Sequence, residues 1–514
     1  MGFNVSAPSG IVTVIAVLAL CGCGDEKSAG TAGGAAVGFR QACSACHLLP
    51  RPDALPTSAW PAVIDQMISI AEVSTVTTLH PDDAAGAREF YVANSQSSLR
   101  NHTAAEARRD DVGLWSAVHL SPPGLEATLV PAVSHVAIGT MGAVEPLSLL
   151  VSEMRSRTLL HFPFAGAPDV SPVLYPILRD LNYPGRFTWT DLNADGLSDL
   201  VISGIGSMQP NNATSGNVFV VQQQLGRTFQ RQIVAAGLGR PADVFSGDFD
   251  SDGDQDIALA AFGLRDAGQL AILENRGENL DMRLHQLDAR DGFTSLKAAD
   301  FDGDGAIDLV ALLAQEHEEV IVFKNEGEFK FSAHLVWKAP HPSWAFCHLQ
   351  VEDLDADGKP DIITTNGDSL DYDVVKPYSG VQCFRNSGRL KFQSTAIGAL
   401  AGAACSATAD MDGDGDLDVA ATAFMPLSSP TKWIENELES IVWFENPGNQ
   451  PAENSAWLKH VVEFHSACHP TVALADCDAD GATDIVVGNY VWIDEKKGPL
   501  FRSPYVSIYT RRPR

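Results

Sequence analysis

Asp410-Met411-Asp412-Gly413-Asp414-Gly415-Asp416-Leu417-Asp418, followed by the apolar run Val419-Ala420-Ala421, is the stretch whose reading decides the fold. Carboxylates stand at loop positions 1, 3, 5 and 9, with glycine at position 6. A hard cation such as Ca²⁺ takes six to eight oxygen ligands at about 2.3–2.6 Å, and closely spaced aspartates supply them. Gly415 lets the chain turn around such an ion because it has no Cβ to resist positive φ. Position 7 adds a backbone carbonyl. A β-like run begins at position 10.

The loop recurs six times. The first copy offers Asp191, Asn193, Asp195 and Asp199, and the second Asp248, Asp250, Asp252 and Asp256. The third offers Asp300, Asp302, Asp304 and Asp308, and the fourth Asp353, Asp355, Asp357 and Asp361. The fifth has Asp410, Asp412, Asp414 and Asp418, and the sixth Asp476, Asp478, Asp480 and Asp484. Successive starts are 57, 52, 53, 57 and 66 residues apart. Solvated acidic turns are the bland alternative, but six copies in register, each followed by an apolar run, point to calcium loops. None has Glu at position 12, so these are not EF-hands.

The chain has 514 residues and a formal net charge of −30, which argues against nucleic acid as a partner. The loops account for much of that charge: they hold 23 ligand-position aspartates, and six Ca²⁺ would take −30 to −18. A hydrophobic fraction of 45% suffices for a large core, and 43 Gly with 29 Pro suit a turn-rich β protein.

The N-terminal segment reads as a targeting signal. Ile11 to Leu20 is apolar but too short to span a bilayer as a helix. It ends in Leu20-Cys21-Gly22-Cys23, which resembles a bacterial lipobox; the resemblance implies cleavage after residue 22 and lipidation of Cys23. No Lys or Arg precedes the apolar run, so the n-region departs from the usual pattern. The expectation is an exported protein, lipid-anchored in the periplasm or at the cell surface. Residues 24–38 are small and flexible, as in a tether.

Cys43-Ser44-Ala45-Cys46-His47 carries the C-x-x-C-H spacing of c-type haem attachment. Two thiols add to the haem vinyl groups, and the adjacent His gives iron an axial nitrogen. A zinc site would need further Cys or His nearby, and a redox dithiol a βαβ setting; neither is present. Beyond a Pro-rich loop, Ser58 can cap a helix in which Trp60, Ile64 and Met67 share one face. Met67 is the expected sixth iron ligand or else core filler, with His80 and His102 as alternatives. Residues 82–93 read as a closing helix. The pattern over residues 39–108 looks like a small cytochrome c domain.

From about residue 112 the chain alternates in β fashion to residue 514. After most acidic loops comes a strand ending in Asn-x-Gly: Asn275-Arg276-Gly277, Asn325-Glu326-Gly327, Asn386-Ser387-Gly388 and Asn446-Pro447-Gly448. Asn and Gly tolerate positive φ, so this reads as hairpin chemistry. Each repeat then holds four strands, and radial repetition of such units is a propeller. The repeats resemble FG-GAP or VCBS repeats, calcium-loop propeller repeats. The resemblance implies ligands at positions 1, 3, 5 and 9 plus the carbonyl at 7. At about 57 residues per unit, 403 residues give about seven blades. Six carry loops; a metal-free blade is expected around residues 136–164, with Thr140 at its first loop position. Six blades remain open if residues 112–187 form something else. Residues 506–509 read as a strand completing the last blade.

Counting back five residues from each loop places Arg186, Asp243, Ser295, His348, Cys405 and Thr471 on the strands nearest the axis. Alternation adds His469 to that face. His348, Cys405 and His469 are the candidates for a channel site, a polar water-filled channel being the alternative. Cys347, Cys383, Cys405, Cys468 and Cys477 remain after lipidation and haem attachment; small buried hydrophobes are the simple reading. The favoured function is electron transfer by a mono-haem cytochrome whose propeller docks a redox partner protein or extracellular ligand. A haem-linked propeller dehydrogenase, or an adhesion or polysaccharide-binding propeller with peripheral haem, are the alternatives.

Overall fold

The structure is a computed structural model. It describes residues 39–40, 43–44, 49–73, 81–97, 108–123, 130–140, 147–164, 173–224, 228–264, 267–277, 280–315, 317–368, 374–425, 431–448, 456–494, 498–499 and 501–511. The targeting segment, Cys23, the tether, Cys46, His47, His80 and His102 lie outside these. No described helix is long and apolar enough to cross a membrane.

Among the described residues seven sheets, each built on four antiparallel strands, form seven blades. The first strands of the blades are Val133–Gly139, Pro184–Thr190, Pro241–Gly247, Phe293–Ala299, Phe346–Glu352, Ala403–Ala409 and Thr471–Ala475. Each packs against the first strands of its two neighbours, and the seventh packs against the first, so the ring closes. The first blade, residues 133–178, is the one without an acidic loop, as the spacing predicts.

Burial explains how the strands read. Every residue of the second strands Asp256–Ala261, Asp308–Leu313 and Asp418–Ala423 is buried, because blades stack on both faces. Such strands are apolar runs rather than alternating ones. The fourth strands face solvent, so Met282–Asp288 and Phe331–Lys338 tolerate charged and polar residues. The cores lie between blades: Phe249 of the third blade packs in one cluster with Phe293 and Leu309 of the fourth.

The seventh blade closes differently from the sequence expectation. Val506–Arg511 is its third strand, and the outermost strand is Trp115–Leu120, from the other end of the propeller. The register runs from Trp115 opposite Arg511 to Leu120 opposite Val506. Just upstream, Arg108–Asp110 adds in parallel to Leu458–Phe464 at the edge of the sixth blade. Closing the ring with a strand from the opposite chain end covers the edge that Val506–Arg511 would otherwise leave open.

Before the propeller the described residues include two helices, α1 (Trp60–Val73) and α2 (Pro81–Asn94). Their core is Phe39, Leu55, Trp60, Val63, Ile64, Ala87 and Tyr91, with Trp60 and Tyr91 stacked at 4.1 Å. Trp60 donates its indole N–H to the carbonyl of Pro52 at 3.0 Å, which ties the Pro-rich loop to α1. The apolar stripe of α1 therefore runs through Val63 and Ile64. Met67 is half-buried and not among the residues of that core.

Candidate functional site: acidic loops and an axial ring

The six acidic loops share one geometry. At position 1 the two carboxylate oxygens accept the N–H groups of positions 5 and 6; for Asp248 these are Asp252 at 3.1 Å and Gly253 at 3.1 Å. The position-5 carboxylate accepts the N–H of position 7, as Asp252 does from Asp254 at 2.9 Å. Position 6 is a glycine with φ of +82° to +99° in every copy. Position 4 is left-handed too, a feature the sequence reading missed: Ala194, Ser251, Ala356 and Ala479 have φ of +54° to +64°. Glycine takes that place in the third and fifth copies, at Gly303 and Gly413.

The position-9 aspartates are almost fully buried. One oxygen accepts the N–H of loop position 2, and in the first five copies the other accepts an N–H from the end of the third strand; for Asp308 these are Phe301 at 3.1 Å and Asn325 at 2.7 Å. Burial pushes the carboxyls of Asp256, Asp418 and Asp484 up to about 7, and those of Asp199, Asp308 and Asp361 up to about 6. The sixth copy differs: Oδ1 of Asp484 is buried with no hydrogen-bond partner.

Ligand atoms gather closely enough to hold one ion in five loops. Each of the sets Asp248–Asp250–Asp256, Asp300–Asp302–Asp304, Asp353–Asp355–Asp357, Asp410–Asp412–Asp418 and Asp476–Asp478–Asp484 has oxygens within 4.8 Å of one another. In the first loop Asn193 instead donates its side-chain amide to Asp195 at 3.0 Å. The orphaned Asp484 oxygen and the convergence of three carboxylates both suit a hard cation.

Neighbouring blades are joined at these loops by the Asn of the Asn-x-Gly hairpin. Asn325 donates its side-chain amide to the carbonyl of Phe249 in the preceding blade's loop at 2.8 Å, and to Ile307 of its own at 3.1 Å. Its side-chain oxygen accepts the N–H of Gly327 at 2.9 Å. Asn275, Asn386 and Asn446 repeat the cross-blade bond to Leu192, Phe301 and Leu354. The sequence reading assigned both Asn and Gly to positive φ. Only the glycines take it; the asparagines serve through their side chains.

On the axial strands, Arg186, Asp243, Ser295, His348 and Cys405 do come together. Asp243 accepts from Ser295 Oγ at 3.1 Å and from the N–H of Leu296 at 3.2 Å, and the Arg186 guanidinium lies 3.9 Å from it. Thr471 lies one step round, where its Oγ1 accepts the N–H of Val136 at 3.2 Å. Two residues were missed. Lys297 reaches Asp243 at 3.6 Å, and His135 lies within electrostatic range of Arg186, Asp243 and Lys297. The five-residue rule applied to Thr140 would have found His135, and alternation from Ser295 would have found Lys297.

Burial opposes ionisation of Asp243, but the Lys297 and Arg186 cations overcome it and hold the carboxyl below its usual range. Burial, reinforced by those cations, drives His348 well below its ordinary value and His135 down to about 3, so both rings are neutral. Burial likewise keeps the Cys405 thiol protonated. A cavity of about 390 Å³ opens beside Lys297 at the acidic-loop end of the axis, lined also by Phe245, Glu352 and Lys359.

His469 lies in another network. Its ring is bonded to Asn489 Oδ1 at 2.6 Å and Glu463 Oε2 at 2.7 Å, and Tyr509 donates its hydroxyl to Glu463 at 2.6 Å. Cys347, Cys383, Cys468 and Cys477 are buried or half-buried thiols. In the helical unit, Cys43 sits against the aromatic core around Trp60 and Tyr91. Arg51 and Asp53 of that unit lie within electrostatic range of His341, which burial drives down to about 4. His341 belongs to the propeller face opposite the acidic loops, where it contacts Trp344 and Tyr378.

Among protein families, the model described as FG-GAP-like repeat matches residues 248–311 and 300–364. Residues 248–364 are similar to FG-GAP-like repeats. Each matched unit starts at an acidic loop and runs into the second strand of the next blade, so it holds the acceptor carbonyl of one cross-blade bond, Phe249 or Phe301, and the donor of the bond before it, Asn275 or Asn325. Among solved structures, "Structure of Dos1 propeller" is similar over 74% of this chain and 78% of that one, at 9% identity and a TM-score of 0.42. No curated protein matches the chain.

Proposed function

We propose that this FG-GAP propeller is the calcium-stiffened docking scaffold of an exported, lipid-anchored c-type cytochrome that works in one-electron transfer. The observation that carries the reading is Cys43-Ser44-Ala45-Cys46-His47 next to a helical unit in which Cys43 lies against the Trp60–Tyr91 core, an apolar setting suited to a thioether link. When bound, the haem supplies a one-electron redox centre. Cys43 and Cys46 would hold it, and His47 and Met67 on α1 are the candidate iron ligands. The half-buried position of Met67 leaves its thioether at the edge of the helical core. Arg51 and Asp53 bring this unit within electrostatic range of His341 on the propeller face opposite the acidic loops, a placement that would leave the loop face clear for a partner protein or extracellular ligand.

Up to six Ca²⁺ belong to the same reading, one for each loop. The convergent carboxylates and the partnerless oxygen of Asp484 support it. Bound ions would neutralise crowded acids and couple ion binding to folding. The axial cluster of Arg186, Lys297 and two neutral histidines favours a second reading, in which the propeller holds a substrate and passes its electrons to the haem.

The test is expression of the full chain in a host that matures c-type haem, with reduced and oxidised optical spectra of wild type and Met67→Leu. Covalent haem with a methionine–iron band that the variant loses supports the electron-transfer reading. Covalent haem without that band points to an open or differently ligated iron and to the second reading. Absence of covalent haem ends both and leaves a binding propeller.

A further inference from the structure

We propose that the axial ring is a binding site for a small oxyanion, a carboxylate or a tetrahedral anion, held between Arg186 and Lys297. The two cations come from the second and fourth blades and flank Asp243 of the third. Their distances to its carboxylate, 3.9 and 3.6 Å, exceed the about 2.7–2.9 Å of a charge-assisted hydrogen bond. Asp243 is already engaged by its own strand and the next blade, its oxygens accepting from Val244 N at 3.0 Å, Ser295 Oγ at 3.1 Å and Leu296 N at 3.2 Å.

The donors are left over. Only 16% of the Arg186 side chain is exposed, yet its guanidinium donates no hydrogen bond to any described residue. Among the described residues Lys297 donates to the carbonyl of its neighbour Leu296, at 3.0 Å, and its ammonium stands 3.6 Å from Asp243. His348 accepts the N–H of Ser406 on Nδ1 at 3.4 Å, so its neutral ring carries the proton on Nε2 and adds another donor. A guanidinium and an ammonium stand against one carboxylate in a sheltered place, where burial lowers the Lys297 pKa and the Asp243 charge opposes that shift. An anion with two or three acceptor oxygens completes both the charge and the hydrogen bonds. The cavity of about 390 Å³ beside Lys297 gives it a way in.

The same residues do not make a metal site. Asp243, His135, His348 and Cys405 form no group of three with ligand atoms within 4.8 Å, among the described residues. This inference is independent of the haem and of calcium.

The experiment is titration calorimetry of the full calcium-loaded chain with sulfate and with succinate, in a buffer free of other oxyanions. Saturable one-to-one binding of either is expected. Sulfate preference identifies a tetrahedral ligand and succinate preference a carboxylate. Arg186→Gln and Lys297→Met are each expected to weaken binding tenfold or more, and Asp243→Asn to tighten it by removing the competing charge. The variants lie on three different blades, so a folding failure in one, judged by circular dichroism, leaves the others to decide. No saturable binding to wild type, or equal affinity in a folded Arg186→Gln or Lys297→Met variant, overturns the proposal.

Discussion

Asn325 of the fourth blade donates its side-chain amide to the carbonyl of Phe249 in the acidic loop of the third, at 2.8 Å. The same side chain closes its own hairpin and bonds its own loop, so one residue binds two blades. It is 4% exposed, and nothing but protein can replace it. Asn325→Ala is expected to orphan two buried carbonyls and an N–H, at about 2–4 kcal/mol of stability. Chemical denaturation measures this; a loss under 0.5 kcal/mol would show the bond to be dispensable.

The six loops are not equivalent. The residue before the hairpin Asn is basic in the third and fourth copies: Lys324 pairs with Asp302 and with Asp304 at 2.8 Å, and Arg385 pairs with Asp355 at 2.5 Å. In the second and fifth copies it is Glu274 or Glu445, each bonded to a histidine. A cation already among the carboxylates competes with Ca²⁺. Calcium titration should therefore resolve a tight and a weak class of sites. Lys324→Met should move one site from weak to tight, a gain of about tenfold, since about 1.4 kcal/mol corresponds to that factor. A single class of sites unaltered by the substitution would refute the competition.

The loops and the blade count were legible because a metal-type loop leaves a periodic mark: aspartate at fixed positions, glycine at the turn, an apolar run after it. The metal-free blade was legible only by arithmetic and register, and the same register would have yielded His135. Other features have no local signature. Lys297 looks like any strand lysine until the ring closes around Asp243. The role of Asn325 depends on a carbonyl 76 residues away. Trp115–Leu120 reads as one more strand, and only ring closure places it beside Val506–Arg511. His469 shares the alternation of the axial residues but precedes its strand, so the periodicity that predicted its face no longer holds there.

The buried position-9 aspartates set a pH dependence opposite in sign to that of ordinary salt-bridged acids. Their folded carboxyls titrate at about 6 to 7, above the ~4 of an unfolded chain. The folded state thus holds protons more tightly, and its contribution is present below about pH 4 and lost as pH rises to about 7. The calcium-free chain should melt at progressively lower temperature across that window. Calcium needs the deprotonated carboxylates, so in excess calcium the trend should reverse. Thermal melts with EDTA and with calcium at four pH values test this. Parallel curves in the two conditions would detach the carboxylates from the ion.

Closure of the ring rests on Trp115–Leu120, whose ends are buried and whose middle is open: Leu120 is 0% exposed and Val118 46%. Leu120 packs in one cluster with Val133 and Val151 of the first blade and with Val486 and Val506 of the seventh, so it fills the seam where the two ends of the propeller meet. Leu120→Ala should cost about 2–5 kcal/mol, as for other buried leucines, because the seam cannot collapse without shifting a whole blade. Val118→Ala on the same strand should stay within about 0.5 kcal/mol. The pair separates packing at the seam from strand propensity, since both lose methyl groups from one strand. If the seam is the weakest joint, Leu120→Ala should also raise protease sensitivity first near residues 115–120 and 506–511, with the other blades protected. Uniform cleavage around the ring would mean that closure is no weaker than any other blade contact.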